Sequence, residues 1–292
     1  MSKAGGTTFC GLANSNMMPW QVPNYHCMPR KGKLKDGRVG SWPNDELVSY
    51  LTENGHAIVS NEWNAFSLEK LKLSKRRLDG TAPNRGDSSD AGPRLLFLTT
   101  LRDTPDRLLS AYTFFELTTK GRDDGPTFDQ WIERILARAL NENTRRFFRS
   151  NIARMNHVVW RFSGGALPLR LPHDTPTEDE WKPPFKTAIQ ALSQHDLILP
   201  MDVMTKKEGK TALSRLLGWE KFDTKGRALK GDKEGGHVVT TGGVKNSNAR
   251  EYFRKEEYRA LWENNWLDNI LCLWCRAVFL ARLHCDDIIV EL

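Results

Sequence analysis

Apolar positions along this chain fall into two kinds of run. Short blocks with few interruptions occur at His56-Ala-Ile-Val-Ser60, Arg94-Leu-Leu-Phe-Leu-Thr-Thr100 and Asp196-Leu-Ile-Leu-Pro-Met-Asp-Val-Met204. All have strand length, and the last two read as buried strands. Other segments repeat at helical spacing. The clearest is Thr127–Leu140, where Phe128, Trp131, Ile132, Ile135 and Leu136 fall on one face. Helix is also predicted after the opening glycine-rich loop, as far as Asn16, and over Asp45–Glu53, Ser67–Lys75, Lys186–Leu192 and Thr211–Leu217, the last ended by Gly218. Thr104 reads as an N-cap with Pro105 behind it, opening a helix that runs towards Thr119. Glu251–Leu283 is helical, with a break near Asn264-Asn265.

Between these elements lie polar or Gly/Pro-rich stretches: Pro19–Pro43, Asp79–Pro93, Trp160–Pro183 and Asp223–Ser247. No internal repeat interrupts the order. Strands alternating with helices predict a helix-rich α/β fold with a parallel sheet, in one domain covering residues 1–292.

Composition narrows the class without choosing the function. With 292 residues, 39% hydrophobic and 27% charged, the chain is an ordinary globular one, expected to be soluble as given. No apolar run approaches the roughly 18–20 residues that span a bilayer, and no apolar signal segment opens the sequence. The formal charge of +7 points to an anionic partner: a phosphorylated cofactor, an acidic polysaccharide, nucleic acid or a membrane surface. The basic runs Lys31–Lys35 and Lys72–Arg77 read as solvated surface. Five cysteines, an odd and sparse set, argue against a disulfide framework and leave room for one bridge. Cys272-Leu-Trp-Cys275 has redox or metal spacing, yet it sits in the apolar helical run Leu267–Leu283 with no second ligand pair, so packing is the expected role.

Two motifs carry chemistry. In Lys3-Ala-Gly-Gly-Thr-Thr8, consecutive glycines let backbone amides face one concavity, and the helix that follows adds its N-terminal dipole. A lysine and two hydroxyls complete an anion site. The lysine comes first, unlike the nucleotide-hydrolase loop, which ends in Gly-Lys-Ser/Thr. In Arg102-Asp-Thr-Pro-Asp-Arg-Leu-Leu-Ser-Ala-Tyr112, Arg102 ends an apolar strand and Ser110 follows eight residues on. A strand's carboxyl edge is the usual ligand crevice of such sheets, and guanidinium suits a terminal phosphate.

Together the motifs resemble the sulfotransferases that use 3'-phosphoadenosine 5'-phosphosulfate (PAPS), especially the carbohydrate sulfotransferases of the secretory pathway. That family carries a Lys-x-Gly-x-Thr/Ser-Thr/Ser loop and a strand-end Arg-Asp-Pro-x-x-Arg-x-x-Ser-x-Tyr segment. Here the proline is displaced by one, to Thr104-Pro105, while the Arg-to-Ser spacing survives. Looser similarity covers Thr127-Phe-Asp-x-x-Ile132, Asn156–Gly164, Leu216-Leu-Gly-Trp219 and Asn265-Trp-Leu-Asp268. In the family a buried strand leads into the phosphosulfate loop. Here only Met1 and Ser2 precede Lys3, so either the chain is cut before its first strand or that strand is abnormally short.

The resemblance implies a three-layer, P-loop-like parallel sheet flanked by helices, with long loops over the active site. It implies in-line transfer of the sulfuryl group of PAPS to a hydroxyl or amine, releasing PAP, with no metal required. Lys3 would contact the bridging oxygen, with Ala4, Gly5, Gly6, Thr7 and Thr8 around the 5'-phosphosulfate. Arg102 and Ser110 would bind the 3'-phosphate, and Lys245 in the Gly235–Arg250 loop is a further phosphate contact. The family's base follows its second strand, where Glu62 lands; His56 and His26 are the alternatives. A carboxylate beside Trp63 would be raised towards neutrality, which suits a base. Arg107 is expected to be a solvated helix residue, and Asn156 and Arg161 either face the acceptor or serve structure. The acceptor would be a small molecule, a lipid or a carbohydrate rather than nucleic acid, met by the loops Asn24–Pro43, Asp79–Pro93 and Gly164–Pro184. The chain would then be the catalytic domain of a longer or secretory-pathway protein. Two other readings stand beside this one. A P-loop phosphoryl-transfer enzyme would need a magnesium site that the lysine-first order does not provide, and a non-catalytic binder of acidic glycans or nucleic acid would fit the charge.

Overall fold

The Phe97 carbonyl accepts the Asp196 N–H at 2.8 Å, and the Asp196 carboxylate accepts the Phe97 N–H at 2.7 Å. These bonds lead into two parallel strands, β3 (Leu98–Leu101) and β4 (Leu197–Pro200), paired from Leu98 with Leu197 to Leu101 with Pro200. The structure is a computed structural model that describes residues 6–24, 26–31, 34–35, 39–61, 64–72, 95–112, 130–131, 133, 155–167, 177–222 and 255–285. Among them, a two-residue antiparallel pair, β1 (Arg30–Lys31) and β2 (Leu34–Lys35), forms the other ladder. The helices are α1 (Gly6–Asn16), α2 (Asn44–Asn54), α3 (Leu68–Leu71), α4 (Thr104–Tyr112), α5 (His157–Phe162), α6 (Glu178–Ser193), α7 (Lys207–Leu217), α8 (Lys255–Asn264) and α9 (Trp266–His284). The fold is therefore helix-rich α/β around a small parallel sheet.

Strand periodicity explains how helices cover both faces of β4. Leu197 and Leu199 join a core cluster with Leu12 and Ala13 of α1 and Ala212, Leu213 and Leu216 of α7. Ile198, pointing the other way, joins Val158 and Val159 of α5, Ala188 and Leu192 of α6, and Leu267 and Leu271 of α9. Helix α7 starts tight against the turn after β4. A Cβ on Gly209 would meet the Val203 carbonyl oxygen at 2.2 Å, so only glycine fits. The helix ends where Gly218 turns left-handed (φ 66°).

Three expectations need correction. His56–Ser60 belongs to neither ladder; it is held instead by the stretch after α1, with Ala57 N–H on the Gln21 carbonyl (2.9 Å) and Ser60 N–H on the Cys27 carbonyl (2.7 Å). Its side chains still alternate, Ile58 into the α1 cluster and Val59 towards Trp42 and Leu47. Helix α6 begins at Glu178, not Lys186, despite Pro183 and Pro184 within it. Thr177 donates its N–H to Glu180 (2.9 Å) and three acidic residues fill the first turn, which starts the helix firmly ahead of the prolines. Arg107 is fully buried rather than solvated. The break at Asn265 between α8 and α9 falls where the sequence places it. Most of Thr127–Leu140 lies outside the described residues, although Trp131 is buried.

Candidate functional site

Arg102 stands one residue past β3, at the carboxyl edge of the sheet, and α4 starts two residues later. The Asp103 carbonyl accepts the Arg107 N–H at 2.8 Å, closing the first turn. Ser110 lies on the same helix and, like Arg102, is half-buried. Burial lowers the Arg102 guanidinium from its usual value, while Asp106 and Asp103 oppose that shift. The opposite sheet strand adds charge here: past β4, Asp202 pairs with Arg276 of α9 at 2.7 Å. Burial raises the Asp103 carboxyl, Asp106 and Asp202 add to the rise, and Arg276 and Arg102 oppose it, although the side chain keeps solvent access. The edge thus holds two guanidinium groups among three carboxylates, and a phosphate would compete with those carboxylates for Arg102.

Helix α1 begins at Gly6, so Thr7 and Thr8 occupy its first turn, where N–H groups that have no intrahelical partner and the dipole favour an anion. Thr8 is half-buried. Lys3, Ala4 and Gly5 lie outside the described residues, as do Glu62 and Lys245.

One turn into α1, Cys10 forms a disulfide with Cys27. His26 and Cys27 both take left-handed backbone angles (φ 48° and 56°), unusual for residues with a Cβ. The Ser60 hydroxyl donates to the His26 carbonyl at 2.7 Å, beside the Ser60 N–H bond to Cys27. Ser60 is therefore tied to the beginning of α1 through Cys27 and Cys10. His56 sits at the other end of that segment. Its Nδ1 is 2.8 Å from the Trp20 carbonyl, beyond the last turn of α1, and its ring packs on Tyr50 at 5.5 Å. At 1.5 Å per residue, Asn16 is about 15 Å along the axis from Gly6. The segment thus runs from His56 towards the head of α1, and Glu62 follows two residues after Ser60. Behind it, Asn61 donates to the Asn64 carbonyl (2.6 Å), and a Cβ on Gly40 would strike the Ala65 carbonyl oxygen at 2.6 Å. His26 thus adjoins the residue bridged to α1, and His56 is bonded to the stretch that follows α1.

Two of the looser motifs, Asn156–Gly164 and Asn265–Asp268, meet. Asn156, left-handed at φ 48°, donates its N–H to Asn265 Oδ1 (2.8 Å), and its Oδ1 accepts the Asp268 N–H (3.2 Å). The Asp268 carboxylate accepts the N–H groups of Val158 (3.0 Å) and Val159 (2.9 Å) at the start of α5. Asn156 is therefore buried and bonded within the fold. Asp268 is fully buried, and its place in the Asn265-Trp-Leu-Asp268 motif was its only signal in the sequence.

Burial raises the Cys272 thiol well above its usual value and the Cys275 thiol to about 12, which disfavours the thiolate in both. Among the described residues no group of His, Cys, Asp and Glu is arranged to hold a metal ion, and no helix is long and apolar enough to cross a membrane. Comparison with protein-family models, with curated proteins and with solved structures gives no match.

Proposed function

We propose that the chain is a PAPS-dependent sulfotransferase that transfers the sulfuryl group in line to a hydroxyl or amine and releases PAP. The observation that carries the reading is Arg102 at the carboxyl end of β3, with Ser110 on the helix that follows directly. A half-buried guanidinium and a half-buried hydroxyl on one strand–helix corner suit a 3'-phosphate. The first turn of α1, carrying Thr7 and Thr8, suits the 5'-phosphosulfate. In this reading β3 and β4 belong to a three-layer, P-loop-like sheet, and Glu62 is the base. PAPS supplies the activated sulfur. The chain's own groups bind the two phosphates, stabilise charge on the leaving oxygen and take the acceptor's proton. The Cys10–Cys27 bridge favours an oxidising compartment, as in the secretory pathway, and an acceptor met there: a carbohydrate, a lipid or a small molecule.

The test compares PAP with adenosine 5'-phosphosulfate, which lacks the 3'-phosphate. Arg102→Ala should weaken PAP at least tenfold, in line with loss of a charge-assisted bond worth about 1.5–3 kcal/mol, and leave adenosine 5'-phosphosulfate nearly unchanged. Equal losses for both ligands in calorimetric titration would refute the assignment.

A further inference from the structure

Among the described residues the exposed large apolar side chains are Met18, Trp20, Trp262, Ile270 and Leu273, and the last three fall on α8 and α9. A single exposed leucine needs no explanation, but an ordered apolar face does. Helix α9 is apolar on both sides. Its inner side, with Leu267, Leu271, Cys275 and Phe279 buried, packs on β4, α5 and α6. Its outer side carries Trp266, Ile270, Leu273, Trp274, Ala277 and Ala281, of which the tryptophans are half-buried and the rest exposed. At about 3.6 residues per turn they span a sector about 100° wide, the width of a helix face that packs on another element. The one charged residue exposed between Trp266 and Ala281 is Arg276, and Asp202 engages it at 2.7 Å. Two contacts hold the face in shape. Trp266 rests edge-on against Trp181 of α6 at 5.2 Å, and Asn269 donates to the Trp262 carbonyl at 2.6 Å across the α8–α9 corner.

The steps from Trp266 to Ala281 along this face are four, three, one, three and four residues, the same from either end. Size is not symmetric: the bulky side chains lie in the N-terminal part and the alanines in the C-terminal part. An antiparallel copy of α9, centred between Leu273 and Trp274, therefore sets Trp266 against Ala281 of the second copy and Ile270 against Ala277 of the second copy. Leu273 meets Trp274 of the second copy beside the axis. A parallel copy would set tryptophan on tryptophan and leave a gap between the alanines. Charge agrees with the antiparallel arrangement. The last turn of α9 is basic, with Arg282 and His284, and α8 carries Glu263 in its last turn. Antiparallel pairing brings these ends together and opposes the helix dipoles. The same contacts repeat on both sides of one two-fold axis, as a closed dimer requires.

We propose that the outer face of α9 is a homodimer interface, where two copies of this chain pack their α9 helices antiparallel about a two-fold axis at Leu273 and Trp274. At about 1.5 Å per residue α9 is about 28 Å long. One helix pair of that length, with its flanks, reaches at most about the 1,000 Å² of a stable interface. The dimer is thus reversible and concentration-dependent. It neither requires nor excludes PAPS, so it stands or falls apart from the donor site.

Sedimentation velocity of the full chain over a concentration series measures the association, and the sedimentation coefficient should rise from monomer to dimer. Leu273→Asp sets like charges near the axis and should weaken association at least about tenfold. Ile270→Glu and Ala277→Lys should each weaken it severalfold. The two together place the new carboxylate opposite the new ammonium of the second copy and should return the dissociation constant to within about threefold of wild type. Within one chain these positions are two turns, about 10 Å, apart, too far to pair. All three sites are exposed, so melting temperatures should stay close to wild type. A wild-type chain that is monomeric at every concentration overturns the dimer. If that monomer floats with phosphatidylcholine vesicles and Leu273→Asp releases it, the face belongs to a membrane surface instead. Unchanged association in Leu273→Asp places any dimer contact elsewhere and overturns this interface. A double variant as weak as the single ones overturns the antiparallel register.

Discussion

His195 is buried at 3% exposure, its ring edge-on to Phe162 at 5.7 Å and its Nδ1 3.0 Å from the Ala191 carbonyl. Burial lowers its pKa to about 4, against bonds to Ala191 and Leu192 that raise it. The unfolded chain takes up this proton near the ordinary value of about 6.5, so it binds more protons than the native state between the two values. The contribution is complete above about pH 6.5 and is lost as pH falls towards 4, by at most about 3 kcal/mol. The melting temperature should therefore drop between pH 7 and pH 5, and His195→Gln should flatten that part of the profile. A drop of equal size in the variant would assign the acid sensitivity to other groups. Arg107 teaches the complementary lesson. A charged side chain on an amphipathic helix reads as solvated, yet Arg107 is fully buried, and burial lowers its pKa to about 10.

At the scale of elements, the Cys10–Cys27 bridge joins α1 to the turn that holds Ser60. The cysteines are 17 residues apart, which in the chain-entropy account corresponds to about 3 kcal/mol. Reduction, or Cys10→Ser, should lower the melting temperature by several degrees. It should also release the left-handed His26-Cys27 pair and so loosen the segment leading to Glu62. Denaturation with and without a thiol reductant measures the first effect; an unchanged midpoint would show that the hydrogen bonds to Ser60 suffice. Helix α6 shows how local chemistry can outweigh a local breaker. Glu180 on the Thr177 N–H and the Glu178–Lys182 pair at 2.5 Å favour the start of the helix, and Pro184, Ala188, Ala191 and Leu192 are buried along it.

Over the whole molecule, ligand binding and folding share one free energy. If both phosphate motifs form one site, PAP at a hundred times its Kd should add about 2.7 kcal/mol to stability. A thermal shift of several degrees is the expected outcome, larger than that from 5'-AMP at the same concentration. No shift at saturating PAP would sink the donor reading and favour the alternative of a polyanion binder, which the charge of +7 also suits. That alternative predicts affinity for acidic glycans that falls steeply with salt.

Legible in the chain alone are local features: the β3 and β4 runs, the break at Asn265, the Gly218 stop, the strand–helix corner at Arg102 and the packing of Cys275. Each rests on periodicity or cap chemistry within a few residues. Tertiary structure alone decided which distant side chains meet. The Cys10 partner, the burial of Arg107, the docking of Asn156 on Asp268, and the hold of residues 21–27 on His56–Ser60 all join segments far apart in the chain. The reason is that burial of a charge or an unpaired strand edge is tolerable only when its partner arrives from elsewhere, and one-dimensional spacing does not record that arrival.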